Sequence, residues 1–297
     1  MASLPIPQFL KTLFDSFPLL TYPANSLPSR CPTFDAVPSL YVFTTSEDAV
    51  SGNPSFNPGC LKWQAYMKFN QIEFKTVPSN NHASPTGALP FVISQRRSMS
   101  ESMELAVVPS NKLAAWIEKH GYSFEGMVGM DSARAEAFLA LVNSQLRDAW
   151  LYSLYLEPNN SQDLASVLYC GSSVSAVSSF LLRQTKAAAR QQLLQAHPGG
   201  VLDPRKIYAD AGAALQAIST ILGNHMWFFG GSNPGLFDAS VFAYTHLILT
   251  LRWHSEENAL LRAVMGHDNL LGHEERIRCE FFREAKTPNL NHWVWEA

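Results

Sequence analysis

Near the start of the chain, two short β-branched and aromatic runs bracket a single helix, and this arrangement limits the fold more than any other feature. Leu40 to Thr45 (LYVFTT) reads as a strand. Asn57-Pro58 then opens a helix, with Asn57 as N-cap and Pro58 at the first helical position. That helix carries Leu61, Ala65, Met67 and Phe69 and ends near Asn70, and Glu73 to Val77 (EFKTV) forms a second strand. A strand, a helix of about a dozen residues and another strand make a unit whose two strands lie parallel. The turn-rich loop Pro78 to Ala88 leads to Leu89-Pro90 and a short strand, Phe91 to Ile93. Residues 94–104 read as a hairpin or loop, after which Ser110 caps a helix to about His120 and Gly121 stops it.

From Asp131 onward only helical patterns follow. Asp131 to Leu156 places Phe138, Leu141, Val142, Ala149 and Tyr152 on one face, and Gln162 to Ala196 reads as another helical stretch. Asp203-Pro204 opens a third, with Ile207, Ala211, Ala214, Leu215, Ile218 and Leu222 at helical spacing before Gly223. Leu236 to Trp253 and Glu256 to Ala285 complete the set. The texture changes within the Gly-rich GYSFEGMVGM, near residues 121–131. Three regions result: a proline-rich arm over 1–39, a small α/β domain over 40–125 and an all-helical domain over 131–297.

The arm has prolines at 5, 7, 18, 23, 28, 32 and 38, a spacing that leaves room for one short helix, Pro7 to Phe17. Its face of Phe9, Leu10, Leu13, Phe14 and Phe17 needs cover, supplied by the chain's own domain, a partner or a membrane surface. Only Lys11 is cationic before Arg30, so an Arg-rich matrix presequence is not expected, and the prolines interrupt any signal-peptide core.

Composition narrows the function classes. Charged residues are 16% and the net charge is −3, which gives no field to hold nucleic acid. The low charge fraction fits either a serine-rich surface or one partly covered by a partner or lipid headgroups. Cysteines at 31, 60, 170 and 279 form no CxxC pair and no dense disulfide framework. His267 and His273, and His246 and His254, are not spaced as ligands on one helical face, and no HExxH, P-loop, GxGxxG or GxSxG occurs. The best window for a bilayer span, the uncharged Leu164 to Leu182, contains too many serines for a spanning helix, although the serine-rich run at 172–179 also suits an interfacial one.

The layout from Asn57 to Val92, with a helix-opening proline and a loop ending in Leu-Pro, resembles a thioredoxin-like domain of the glutathione-transferase type. In those families the proline, here Pro90, is cis and supports the ligand loop. Trp227 to Tyr244 (WFFGGSNPGLFDASVFAY) is similar to the second landmark of that superfamily, with Asp238 in place of its buried capping aspartate. Gly235 replaces the usual Ser/Thr three residues earlier, which leaves half of the capping box. The strings CLKWQ (60–64) and SNNHASPTGALPF (79–91) resemble the metaxin family, over about residues 40–285. The implied fold is glutathione-transferase-like: a thioredoxin-like N-terminal domain with a cis-proline, followed by an all-helical C-terminal domain.

Transferase chemistry is not expected to survive. Where cysteine-using relatives place the nucleophile stands Asn57, which caps but does not attack. Thr44, Thr45, Ser46 and Ser55 are ordinary loop hydroxyls that a thiolate site would also use. The acidic member of the Glu-Ser pair that docks the tripeptide is replaced in Pro109-Ser110. Cys60 reads as a buried apolar cysteine or a low-pKa thiol near a helix start. His82 and Asn81 are turn formers or partner contacts.

What the metaxin resemblance implies is a non-catalytic peripheral receptor subunit of the mitochondrial sorting and assembly machinery, without cofactor or metal. It would lie on the cytosolic face of the outer membrane, recognise β-barrel precursors and aid their insertion. Its partners would be the barrel-forming core subunit and a second metaxin-like subunit, with peripheral contact to the membrane. Length and the proline-rich start are similar to the smaller fungal receptor subunit related to metaxin 2. The stripe Phe9, Leu10, Leu13, Phe14 and Phe17 would make the partner or membrane contact. The alternative is a glutathione-dependent transferase or glutathione binder.

Overall fold

Strand β1 (Ser39–Val42) pairs in parallel with β2 (Lys75–Pro78) and antiparallel with β3 (Phe91–Arg97), which pairs antiparallel with β4 (Met103–Pro109). The sheet order is β2-β1-β3-β4. The computed structural model describes residues 37–97, 103–121, 130–171, 174–197, 199–255 and 258–282, all within one compact unit, Asp35–Ala297. The stripe from Phe9 to Phe17 and the junction at 122–129 lie outside the described residues.

Two short helices connect β1 to β2. The first, α1 (Ser46–Val50), is capped by Thr45, whose hydroxyl accepts from the Asp48 amide; the strand reading of Leu40 to Thr45 therefore ends too late. The second, α2 (Pro58–Phe69), begins at Pro58 with Asn57 as its cap. Residues 94–104, read as hairpin or loop, belong mostly to the two seven-residue strands β3 and β4, which pair from Phe91↔Pro109 to Arg97↔Met103. Pairing with β3 made β4, since its sequence MELAVVP carries no turn-bounded alternation of its own.

Ser110 does not cap the next helix. It opens a 3₁₀ turn (Ser110–Lys112) that feeds α3 (Leu113–His120), and neither element has a side-chain cap bond. Gly121 stops α3 in extended backbone, and its lack of a side chain answers to space: a Cβ there would lie 2.8 Å from Asn70 Cβ.

The helical half opens with α4 over 130–156, in which π-turns Val142–Leu146 and Tyr152–Leu156 interrupt the α-helix. Each wide turn shifts the buried stripe. Val142 and Ala149 are buried as expected, but Leu146, Trp150 and Leu154 join them while Phe138, Leu141 and Tyr152 stay partly exposed. The expected helix 162–196 is two: α5 over 158–169 ends at Cys170, and α6 (Ser175–Ala196) restarts. Then come α7 (Pro204–Leu222), α8 (Leu236–Thr250), α9 (Ala259–Met265) and α10 (Asp268–Phe281), so the stretch 256–285 is also divided, at Gly266-His267. In α7 all six expected core residues, Ile207 to Leu222, are buried.

Helix α2 joins both cores. Cys60, Trp63 and Met67 face the sheet with Leu40, Val42, Val92, Leu113 and Ile117. Leu61, Ala65 and Phe69 belong to the helical core, where α2 packs on α8. A helix apolar on two sides must be covered on both, and α8, buried from Phe237 to Ile248, shows the same property.

Candidate functional site

The start of α2 is where this fold places its chemistry, and here it is bonded shut from within. Asn57 Oδ1 accepts from the Cys60 amide at 3.2 Å, and its Nδ2 donates to the Tyr169 hydroxyl at 3.2 Å. That hydroxyl donates in turn to the Phe56 carbonyl at 3.3 Å. Tyr169, the last residue of α5, sits edge-on to Phe43 and Phe56, with ring centroids 5.1 and 5.4 Å away. Burial pushes its phenol well above the ordinary tyrosine range, so it stays protonated and serves as a plug.

The loop over the helix start is equally committed. Buried Gln64 accepts from the Ser55 amide and donates to the Asn53 carbonyl, both at 2.9 Å. Ser55 Oγ donates to the Phe43 carbonyl at 2.6 Å and accepts from the Asn57 amide. Thr45 is spent on capping α1, and Ser46 is exposed at its first residue. Of the four hydroxyls, only Thr44 has its oxygen buried without a hydrogen-bond partner. Cys60 is fully buried, and burial pushes its thiol up to about 12 despite hydrogen bonds with the Phe43 backbone and Ser55. Held as the neutral thiol by burial, it is a poor nucleophile.

The Leu89–Pro90 peptide is cis. The loop before it is held by its own side chains: Asn80 caps the 3₁₀ turn Asn81–Ala83, and Ser84 Oγ donates to the Ala88 carbonyl at 2.6 Å. Gly87 adopts φ 73°, a conformation glycine takes without penalty. Asn81 Oδ1 accepts from the Leu89 amide at 3.1 Å, so the backbone donor beside the cis-proline is already used. Asn81 therefore acts as a turn former, while His82 is exposed.

At the start of α8, Asp238 is 2% exposed and accepts from three donors. Oδ2 takes the Gly235 amide at 2.9 Å, while Oδ1 takes the Phe228 amide at 3.1 Å and faces His273 Nε2 at 3.0 Å. Gly235 has no side chain to return the bond, so the half box expected from sequence is what stands. A carboxylate oxygen only accepts, which assigns the proton of that contact to Nε2 and leaves His273 Nδ1 buried without a partner. His246 likewise meets Glu274 at 2.8 Å, so both buried histidines serve carboxylates. Among the described residues no group of three His, Cys, Asp or Glu side chains suits a metal ion, and no helix is long and apolar enough to cross a membrane.

Sequence reasoning missed Tyr169, Gln64 and His273. Gln64, a polar residue in the otherwise apolar middle of α2, was the one readable signal.

Comparison with known proteins agrees with this fold. Residues 58–160 match the model of the glutathione S-transferase N-terminal domain, and 211–277 that of the C-terminal domain. Metaxin-3 of Xenopus laevis is 26% identical over 200 residues, which is 65% of this chain and 62% of that protein, less than two thirds of its length. Three solved structures are similar throughout. A glutathione transferase family member from Pseudomonas fluorescens with two glutathione bound has a TM-score of 0.51 at 9% identity, covering 88% of this chain and 96% of its own. A glutathione S-transferase of Ceriporiopsis subvermispora in complex with glutathione has 0.52 at 15%, covering 85% and 99%. FzlA from C. crescentus has 0.50 at 12%, covering 86% and 97%. At such identities the structural likeness speaks for the fold alone. The chain thus has a glutathione-transferase-like fold, a thioredoxin-like domain followed by a helical one, and the sequence matches support a metaxin- or glutathione-transferase-like family.

Proposed function

We propose that this chain is a non-catalytic, peripheral receptor subunit of the mitochondrial outer-membrane sorting and assembly machinery, similar to the smaller fungal subunit related to metaxin 2. It acts from the cytosolic face, beside the barrel-forming core subunit and a second metaxin-like subunit, and helps β-barrel precursors into the membrane. The observation that carries the non-catalytic part is the closed start of α2. Asn57, Tyr169, Ser55 and Gln64 consume the donors and acceptors that a thiol substrate would need. The similarity to Metaxin-3 supports the mitochondrial part. An extended, amphipathic signal strand is readable through backbone pairing and alternate side-chain pockets.

The test is to tag the chain, solubilise cells in mild detergent and weigh what co-elutes. Recovery with a β-barrel core subunit and a second metaxin-like chain is the expected result. A lone species at the chain's 33.0 kDa overturns the proposal. One observation favours a second reading: the buried, unpartnered Thr44 hydroxyl at the end of β1 leaves an acceptor or donor for a small ligand. Calorimetric titration with glutathione decides it, since micromolar binding supports a glutathione protein and silence at millimolar ligand removes that reading.

A further inference from the structure

Helix α6 presents an uncovered apolar ridge beside arginines in the longest acid-free part of the chain. Val177 is 45% and Phe180 65% exposed, and they follow helical spacing with exposed Gln184 on the side opposite buried Leu182, Ala189 and Leu193. Arg183 and Arg190 are exposed along the flank of that ridge, one and three turns beyond Phe180. Between Asp163 and Asp203 the sequence contains no Asp or Glu. The segment 147–165 that packs against α6 has three carboxylates, each with a side-chain neighbour, whereas α6 itself carries Arg183, Lys186 and Arg190 and no acid. Asp148 meets His197 at 3.3 Å, Asp163 meets His254 at 2.6 Å, and Glu157 accepts from Tyr208 and from Asn160. The helix that bears the ridge therefore presents three cations and no carboxylate of its own.

From this geometry we infer that the exposed side of α6 docks on an anionic phospholipid surface, with Phe180 and Val177 entering the headgroup–acyl boundary and Arg183 and Arg190 meeting lipid phosphates. This deepens the peripheral-membrane part of the proposed function and rests on it. Charge complementarity selects the occupant, because a helix with three cations and no acid of its own favours an anionic surface. Size points the same way. A stable protein interface buries about 800 Å² per partner around an apolar centre, whereas two exposed apolar side chains on one helix match shallow insertion.

The experiment sediments the full-length chain with phosphatidylcholine vesicles, with and without about one quarter phosphatidylserine. The wild type is expected to pellet with the anionic vesicles and to lose binding as salt rises. Replacing both apolar residues (Val177→Ser with Phe180→Ser) should lower the bound-to-free ratio at least about tenfold. Arg183→Gln with Arg190→Gln should abolish the preference for phosphatidylserine and leave the residual neutral-lipid binding. All four positions are exposed, and unchanged melting curves of the variants confirm their folding. A wild type that stays in the supernatant overturns the inference, as does a Val177→Ser/Phe180→Ser variant that pellets fully, which would assign the binding to residues 1–36. Binding only to protease-sensitive sites on native membranes makes the occupant a protein and overturns it too. Co-elution with the assembly machinery is a separate readout, so either idea can fail while the other stands.

Discussion

Helices α2 and α8 lie against each other through the middle of the molecule, yet their first turns are built on different principles. The start of α2 is neutral: an amide cap, a phenol and a carbonyl in sequence, with a plug that comes from 112 residues away. The start of α8 is ionic, with one carboxylate taking two backbone amides and a buried histidine. A neutral chain of bonds is cheaper to bury than a charge, and cutting one member costs about 1–3 kcal/mol through the partner left unsatisfied. A buried carboxylate is stable only while all its donors stay in place. The first arrangement closes a site; the second staples a fold.

That contrast is breakable by mutation. Asp238→Ala should cost about 3–5 kcal/mol in urea unfolding, because three buried donors, one of them His273, lose their acceptor. A loss no larger than that of Asn57→Ala would void the distinction. Thiol reactivity probes the closed site next. Exposed Cys279 should alkylate at least about 100-fold faster than buried Cys60, as followed by mass spectrometry of the native chain. Comparable rates would mean that the α2 start opens readily.

A pH series sharpens the same point. Cys60 is raised from 9.0 to about 12, and Tyr169 and Tyr244 are also raised by burial, so the folded chain holds these protons more tightly than the unfolded one. Their contribution to stability is therefore complete below the unfolded values and is lost as pH rises through the folded ones. Denaturant midpoints should be level with respect to these groups up to about pH 9 and fall steadily above it. A flat profile to pH 11 contradicts the burial of the thiol.

Smaller effects separate the two caps. Asn57→Ala should cost about 1–2 kcal/mol, since the helix loses its cap and Tyr169 loses a donor. At the other helix, a side chain at Gly235 meets only Asp238 Oδ2 at 3.8 Å, and its backbone is extended. Gly235→Ser should thus complete the capping box and raise stability by a few tenths of a kcal/mol, up to about 1. Thermal melts of both variants beside the wild type measure the pair.

Local signals in the sequence determined the parallel strand–helix–strand unit, the Asn57 cap with Pro58 and the six-residue buried stripe of α7. Each is a relation between residues a few positions apart, where backbone geometry and hydrophobic period act directly. Tertiary structure alone decided that β4 exists, that π-turns rotate the buried face of α4, that Tyr169 fills the start of α2 and that His273 answers Asp238. These depend on side chains brought together from 35 to 112 residues apart, and on a strand whose own sequence is neutral until β3 lies beside it. Burial set the chemistry in the same way, turning a cysteine near a helix start into an inert thiol because α2 is covered on both faces.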